Sequence, residues 1–308
     1  MALQGFDVGS LDPAFQMALL KGVEAAQDSV FREMFSPEQV GTMSGKVPYI
    51  PSNFTLLSED GSAKTKVGIQ DKPDVFEVGL NSADFDFDGK YAKEAEIHKS
   101  IVTTLSHLRG AEGLVQYLGS IAKGMVNSAI DIDGASVLKS TTLNETQSAA
   151  GSWGDASAAE PFKDFDNLVD IVGTQNPLIW LGLDKARELS ALPAFKDKEA
   201  NFDAKDGRVS LQSVRDTLAR RYEADTIVID GRVWSNDANV AQTINKSRVF
   251  DGVVWVGDAD HMIVVERGDL HEVDSDYDSR SGNYSTWITE YFELARAEHE
   301  RAAVLTGS

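Results

Sequence analysis

Phe54-Thr55-Leu56-Leu57 and Val75-Phe76-Glu77-Val78 are two short β-prone runs, and between them lies Glu59-Asp60-Gly61-Ser62-Ala63-Lys64, a polar stretch rich in turn residues. Around them, from Val47 to Tyr91, Pro48, Pro51 and Pro73 recur and glycines punctuate the chain. The pattern predicts a long two-stranded excursion. An isolated ribbon of this kind is marginal in water because two strands bury too little apolar surface. It must therefore lie on something else, and a neighbouring copy of the same chain is the natural support.

Outward from this ribbon the patterning changes at once. From Lys93 apolar residues recur in steps of three and four at Ile97, Ile101, Leu105, Leu108, Val115, Leu118, Ala122, Met125 and Ala129, which predicts a long helix with one buried stripe. Gly110, Gly113, Gly119 and Gly124 each weaken a helix by about 1 kcal/mol relative to alanine, so a bend or break is expected in its second half. Before the ribbon, Asp12-Pro13 opens an apolar pattern of Phe15, Leu19, Leu20, Val23 and Val30, which predicts an amphipathic helix from Asp12 to Met34. After Asp131-Ile132-Asp133-Gly134 a Ser/Thr/Ala-rich stretch reads as surface loop to Ala159 around Trp153, the tryptophan best placed for a contact. Trp180, Trp234, Trp255 and Trp287 lie in or beside apolar runs and are expected in the core.

An α/β block follows. Helices are expected over Phe162 to Val172, Leu183 to Leu192 and Leu211 to Tyr222, with strands at Leu178-Ile179-Trp180-Leu181-Gly182, Thr226-Ile227-Val228-Ile229 and Gly252-Val253-Val254-Trp255-Val256. Two long strands close the pattern, Met262 to Arg267 and Tyr284 to Leu294.

Composition narrows the functions. The 308 residues are 42% hydrophobic and 25% charged, ordinary for a folded soluble chain, and no apolar run is long enough to span a membrane. No cysteine is present, which removes disulfides, thiolate nucleophiles and cysteine-based zinc sites together. The formal net charge of -20 argues against a partner held through its phosphates, and the N-terminal stretch is itself acidic. Any nucleic acid enclosed by this chain is enclosed without a basic arm.

Motif searches return near misses. Gly41-Thr42-Met43-Ser44-Gly45-Lys46 resembles a phosphate loop but is one residue short between the glycines and carries Val47 where a magnesium-binding hydroxyl belongs. Asp84-Phe85-Asp86-Phe87-Asp88-Gly89 starts like a calcium loop, yet Ala95 stands where a bidentate glutamate is required. The simpler reading is an amphipathic strand with Phe85 and Phe87 inward. Asp274, Asp276 and Asp278 repeat that spacing. The histidines lack zinc-protease spacing and no Gly-x-Ser-x-Gly neighbour is present, so no catalytic, cofactor or metal residues are assigned.

The order of parts, an N-terminal arm, a proline-punctuated ribbon, a long helix, an α/β block and final strands, resembles the tailed-bacteriophage major capsid protein family with its HK-ninety-seven-like fold. Local strings are similar too. Ser152-Trp153-Gly154-Asp155 followed by Glu160-Pro161-Phe162-Lys163-Asp164 looks like the segments that enter that family's axial domain. The run from Gln175-Asn176-Pro177 through Gly182 to Pro193 looks like its strand-and-helix core, with Asn-Pro in place of the commoner Pro-Asn. Trp287 to Leu294 and Ala302-Ala303-Val304-Leu305-Thr306 look like its closing strands.

The resemblance implies an α+β chain divided into an N-arm (1–46), an E-loop (47–92), a P-domain with a spine helix (93–132 and 261–297) and an axial A-domain (133–260 and 298–308). It implies no enzymatic activity, and self-assembly as hexamers and pentamers into an icosahedral virion shell around double-stranded DNA, formed in the host cytoplasm with portal, scaffolding or decoration proteins. Phe54, Leu56, Leu57, Lys64, Lys66, Val75, Phe76 and Val78 then become intersubunit contacts, and Ile97, Ile101, Leu105, Leu108, Val115 and Leu118 the spine core. No long helical segment precedes the arm, so a fused scaffolding domain is not expected in this chain. Some relatives join an E-loop lysine to an asparagine beside a glutamate; Lys64, Lys66 and Asn283 are the residues available here, with no motif tying them together. Rival readings are an encapsulin-type nanocompartment shell and, from another class, an acidic α/β enzyme.

Overall fold

A computed structural model describes residues 28–35, 37–49, 81–174, 176–196, 208–224, 226–235, 246–258, 262–268, 272–278, 282–296 and 301–308, with positions 21, 24, 26 and 280. The first complete element is α1 (Val30–Met34), capped by the Ser29 hydroxyl, which accepts from the Arg32 amide at 3.1 Å. Asp28 and Ser29 are not helical, so Val30–Met34 is a separate short turn and not the end of one helix from Asp12. Strands β1 (Glu38–Gln39), β2 (Ser44–Tyr49), β3 (Asn81–Asp86) and β4 (Tyr91–His98) follow.

The long helix α2 (Lys99–Lys139) starts later than its apolar periodicity suggests. Ile97, the first residue of the expected stripe, lies on β4 opposite Tyr284. Its spacing satisfies both periods, and pairing with a central strand decides between them, because strand preference is set by context. His98 then caps α2 through its ring nitrogen, which accepts from the Ser100 amide at 3.3 Å. The helix is also unbroken, running past the expected stop at Gly134. Its glycines are tolerated because Leu118, Ala122, Val126, Ile130 and Leu138 bury one face of its second half, and in proteins such packing outweighs intrinsic propensity.

Beyond it come β5 (Glu145–Ser148), α3 (Pro161–Val172), β6 (Leu178–Gly182), α4 (Leu183–Ala191), α5 (Pro193–Lys196) and α6 (Leu211–Tyr222). Strands β7 (Thr226–Asp230), β8 (Val233–Ser235), β9 (Lys246–Arg248), β10 (Val254–Gly257), β11 (Met262–Glu266) and β12 (Glu272–Asp278) precede the closing strands β13 (Asn283–Glu290), β14 (Phe292–Arg296) and β15 (Ala302–Thr306). The expected single strand from Tyr284 to Leu294 is therefore two. β13 lies between β12 and β4, whereas β14 pairs with β11, and the chain changes sheet at Tyr291.

Five strands in the order β5-β15-β10-β6-β7 form the main sheet. All five residues of β6 are buried, and their alternation serves two cores. Leu178 and Trp180 join Trp255, Val304, Phe31, Phe35 and the second half of α2. Ile179 and Leu181 join Val254, Val256, Leu305 and the helices α3, α4 and α6. Trp153 belongs to this second core: it is 1% exposed, and its indole N–H donates to Asp164 Oδ2 at 2.8 Å. The expected surface contact is thus a buried pin, because Asp164 also accepts from the Ala150 amide at 2.7 Å and folds the polar stretch inward. Trp180 and Trp255 are buried as expected, and Trp287 is half-buried.

Candidate functional site

The root of the ribbon is β2 paired antiparallel with β3, from Ser44 opposite Asp86 to Tyr49 opposite Asn81. One face is apolar: Val47, Ala83, Phe85 and Phe87 pack on Ile263 and Val265 of β11 and on Tyr291. Phe85 and Phe87 meet edge to face at 5.7 Å between ring centres, and Phe87 meets Tyr291 at 6.1 Å. The other face carries Ser82, Asp84 and Asp86 in water, where Asp84 meets Lys46 at 3.1 Å. The Asp84–Asp88 run is therefore the amphipathic strand expected, and its aspartates do not converge. Asp86 also donates its amide to Glu293 Oε2 at 3.1 Å, tying the root to β14. Burial, with the charges of Asp88 and Asp86, holds the Glu293 carboxyl above its ordinary range despite that bond.

The expected contact residues Phe54, Leu56, Leu57, Lys64, Lys66, Val75, Phe76 and Val78 lie outside the described residues. Of the spine set, Ile101, Leu105, Leu108, Val115 and Leu118 are on α2, where Leu118 is buried, and Ile97 is on β4. Asn283 opens β13 and donates its carboxamide to Glu96 Oε2 at 3.1 Å, so an asparagine and a glutamate do meet on this sheet.

Beneath the root lies a group of charges that sequence reasoning missed. Arg32 of α1 reaches Glu290 Oε2 at 2.7 Å and Glu266 Oε2 at 3.3 Å. Lys123 of α2 binds the other oxygen of Glu290, and Gln39 of β1 donates to Glu266. Burial pushes Glu290 upward, but Arg32 and Lys123 outweigh it and hold the carboxyl below the usual glutamate value. A second lock sits on the same segment. Asp131 of α2 accepts from the Ser29 hydroxyl at 2.6 Å, the Phe31 amide at 3.1 Å and Arg232 at 3.1 Å. Here burial wins, and Asp131 is held above its ordinary value. Partners separated by a hundred positions or more leave no local signature; the sequence trace is Lys123, a charge beside the apolar stripe.

These charges face one another, and among the described residues no group of carboxylates and histidines is arranged to hold a metal ion. The arrangement fastens α1, β1 and α2 to β11 and β13 beneath the ribbon root. The fold as a whole is one that solved structures share. The chain is similar in structure to a phage-related protein of Bordetella bronchiseptica, with a TM-score of 0.63 and 14% identity over 98% of this chain and 97% of that one. It is also similar to a virus-like particle from Pyrococcus furiosus, with a TM-score of 0.54 and 12% identity over 94% and 96% of the two chains. No family model and no curated protein sequence matches it.

Proposed function

We propose that this chain is the major capsid subunit of a tailed bacteriophage, assembling as hexamers and pentamers into an icosahedral shell that encloses double-stranded DNA. One observation carries the reading: likeness over nearly the whole chain to a phage-related protein and to a virus-like particle. The ribbon root supports it. Its apolar face is already satisfied by β11 and Tyr291, so that face offers no further apolar surface to the runs Phe54–Leu57 and Val75–Val78 of the sequence. A neighbouring subunit supplies that surface, and Phe54, Leu56, Leu57, Val75, Phe76 and Val78 then become the buried side of that contact.

In this reading residues 1–46 are the arm, 47–92 the E-loop, 93–132 with 261–297 the P-domain and 133–260 with 298–308 the axial domain. The shell belongs to the virion, forms in the host cytoplasm and uses portal, scaffolding or decoration proteins to set its curvature, since head-to-tail contacts close only when their geometry is fixed. The subunit catalyses no reaction. The test is to express the chain, fractionate it by size and image the heavy fraction by negative stain. Hollow isometric particles are expected, and DNA-filled ones when portal and packaging proteins are supplied. A compact monomer at every concentration sinks the proposal, and particles that hold protein cargo and refuse DNA transfer the chain to the nanocompartment shells.

A further inference from the structure

We propose that Arg232 is a clasp that makes the docking of arm residues 28–35 and the seating of the β8–β9 hairpin a single event, so that lifting one frees the other. The hairpin needs such a fastening. Among the described residues β8 and β9 pair only with each other, from Val233 opposite Arg248 to Ser235 opposite Lys246, and Val233 is 53% exposed. Two strands this short bury too little to hold themselves in place.

One residue fixes the base of the hairpin. Arg232 follows Asp230 and Gly231 at the end of β7, and a Cβ at Gly231 would stand 2.4 Å from Leu183 Cδ2, so the chain passes hard against the start of α4. Asp230 Oδ1 accepts from the Arg232 amide at 2.7 Å, and Asp230 Oδ2 lies 3.4 Å from the guanidinium Nε. The Arg232 carbonyl accepts from the Val249 amide at 3.1 Å, which adds a rung at the hairpin's base. Oriented in this way, the side chain reaches α2 and the arm together: Nη1 meets Asp131 Oδ2 at 3.1 Å and donates to the Asp28 carbonyl.

The arm holds the same carboxylate from the other side. Asp131 Oδ1 accepts from the Ser29 hydroxyl and the Phe31 amide, and Phe31 lies in the core against which Val249 packs. With the side chain of Asp131 3% exposed and that of Arg232 23%, water has little access to replace these partners while the arm is docked. Lifting the arm removes both donors from Asp131 Oδ1 and one acceptor from Arg232 at once. A cavity of about 430 Å³ lined in part by Asp131, Arg232, Val233 and Val249 lies beside them, and it gives water and the hairpin's base room to move. The coupling is reciprocal, because a contact that favours the docked arm when the hairpin is seated favours the seated hairpin when the arm is docked.

Amide hydrogen exchange on the dispersed full-length subunit tests this, so the outcome does not depend on whether particles form. Ser29→Asp keeps a good N-cap for α1 but sets a second carboxylate against Asp131. The expected result is exchange at least about tenfold faster at the Glu33 and Phe35 amides of the arm and, in the same sample, at the Val249 amide of the hairpin. Arg232→Gln should show the same pairing from the hairpin's side, with the amides of β15 exchanging as in the parent. Faster exchange in the arm with Val249 unchanged, or no change in either segment, overturns the proposal. Should Ser29→Asp fail to fold, the parent decides: its Phe35 and Val249 amides should share one opening free energy and one dependence on urea, and two separate dependences overturn the proposal.

Discussion

The five-stranded sheet and the ribbon root are both β structure, yet they bury themselves differently. β6 is buried at every residue and β10 at all four, because helices cover one face and the arm with α2 covers the other. The root alternates buried and exposed residues, with Val47, Ala83, Phe85 and Phe87 inside and Ser82, Asp84 and Asp86 in water. The sheet is complete within one chain. The ribbon root has one buried face and one face in water. A molecule so divided has buried positions whose substitutions should register in the subunit's stability, and an outer face at the root whose substitutions should register little there.

The largest effects should come from breaking the buried sheet. Trp255 is fully buried, packs edge to face on Phe35 at 6.1 Å and donates its indole N–H to Asn144 Oδ1 at 3.0 Å. Asn144 in turn satisfies the Val137, Leu138 and Ser140 carbonyls at the end of α2. Trp255→Ala should cost about 3–5 kcal/mol in urea unfolding of the dispersed subunit, from the cavity and the released cap together. A loss below about 1 kcal/mol would mean that the two cores are not coupled through this sheet.

Next comes the charge cluster beneath the ribbon root. Glu290→Gln removes the charge that faces both Arg32 and Lys123, and a broken buried pair costs about 3 kcal/mol or more. The pH dependence has a definite sign. Glu290 is held below the ordinary glutamate value of 4.5, so its contribution is complete above that pH and is lost as pH falls through the lower folded value. Asp131 is held above its ordinary 3.8, so the folded chain takes up its proton first and this group acts in the opposite direction. Acid denaturation curves should therefore be flatter for Glu290→Gln and steeper for Asp131→Asn. Identical curves for the two variants would show that the locks do not titrate as placed.

Gly134 tests how the arm docks. Alanine in a helix ordinarily gains about 1 kcal/mol over glycine, yet a Cβ at Gly134 would stand 2.4 Å from the Phe31 ring, so Gly134→Ala should destabilise by about 1–3 kcal/mol. Gly124→Ala, with open space around it, should be neutral or stabilising in the same thermal melts.

What was legible in the sequence follows the same division. The strands β6, β7, β10 and β11 and the helices α3, α4 and α6 stand where their apolar runs and periodicities put them, because each run is long enough and regular enough to fix its own period whatever distant element buries it. The start of α2 was misread because Ile97 fits a period of two as well as one of four, and only pairing with β13 decides. The split between β13 and β14 was invisible for a related reason: Ile288, Glu290 and Phe292 keep the same inward alternation while the strand partner changes. Trp153 looked exposed because its neighbours are polar, although one of the polar groups farther on, Asp164, is what holds it inside. The Arg32, Lys123, Glu290 and Glu266 cluster could not be read at all, since carboxylates are common in so acidic a chain and nothing local marks the two that are buried.

The smallest effect on the subunit is the sharpest test of the comparison. Lys46 and Asp84 face each other at 3.1 Å across the outer face of the ribbon root, with side chains 67% and 75% exposed. An ion pair so open to solvent contributes about 0–1 kcal/mol, so Lys46→Ala should leave urea unfolding of the dispersed subunit nearly unchanged. If this face meets a neighbour, the same substitution leaves Asp84 desolvated without its partner, and truncating one member of a buried interfacial pair costs about 2–5 kcal/mol. Assembly yield measured by light scattering should then fall steeply while the melting curve stays in place, and Lys46→Arg should restore much of it. Equal, small changes in both measurements would mean that the outer face stays in water in the assembled particle, and the contact would have to be sought farther along the ribbon, beyond Tyr49 and before Asn81.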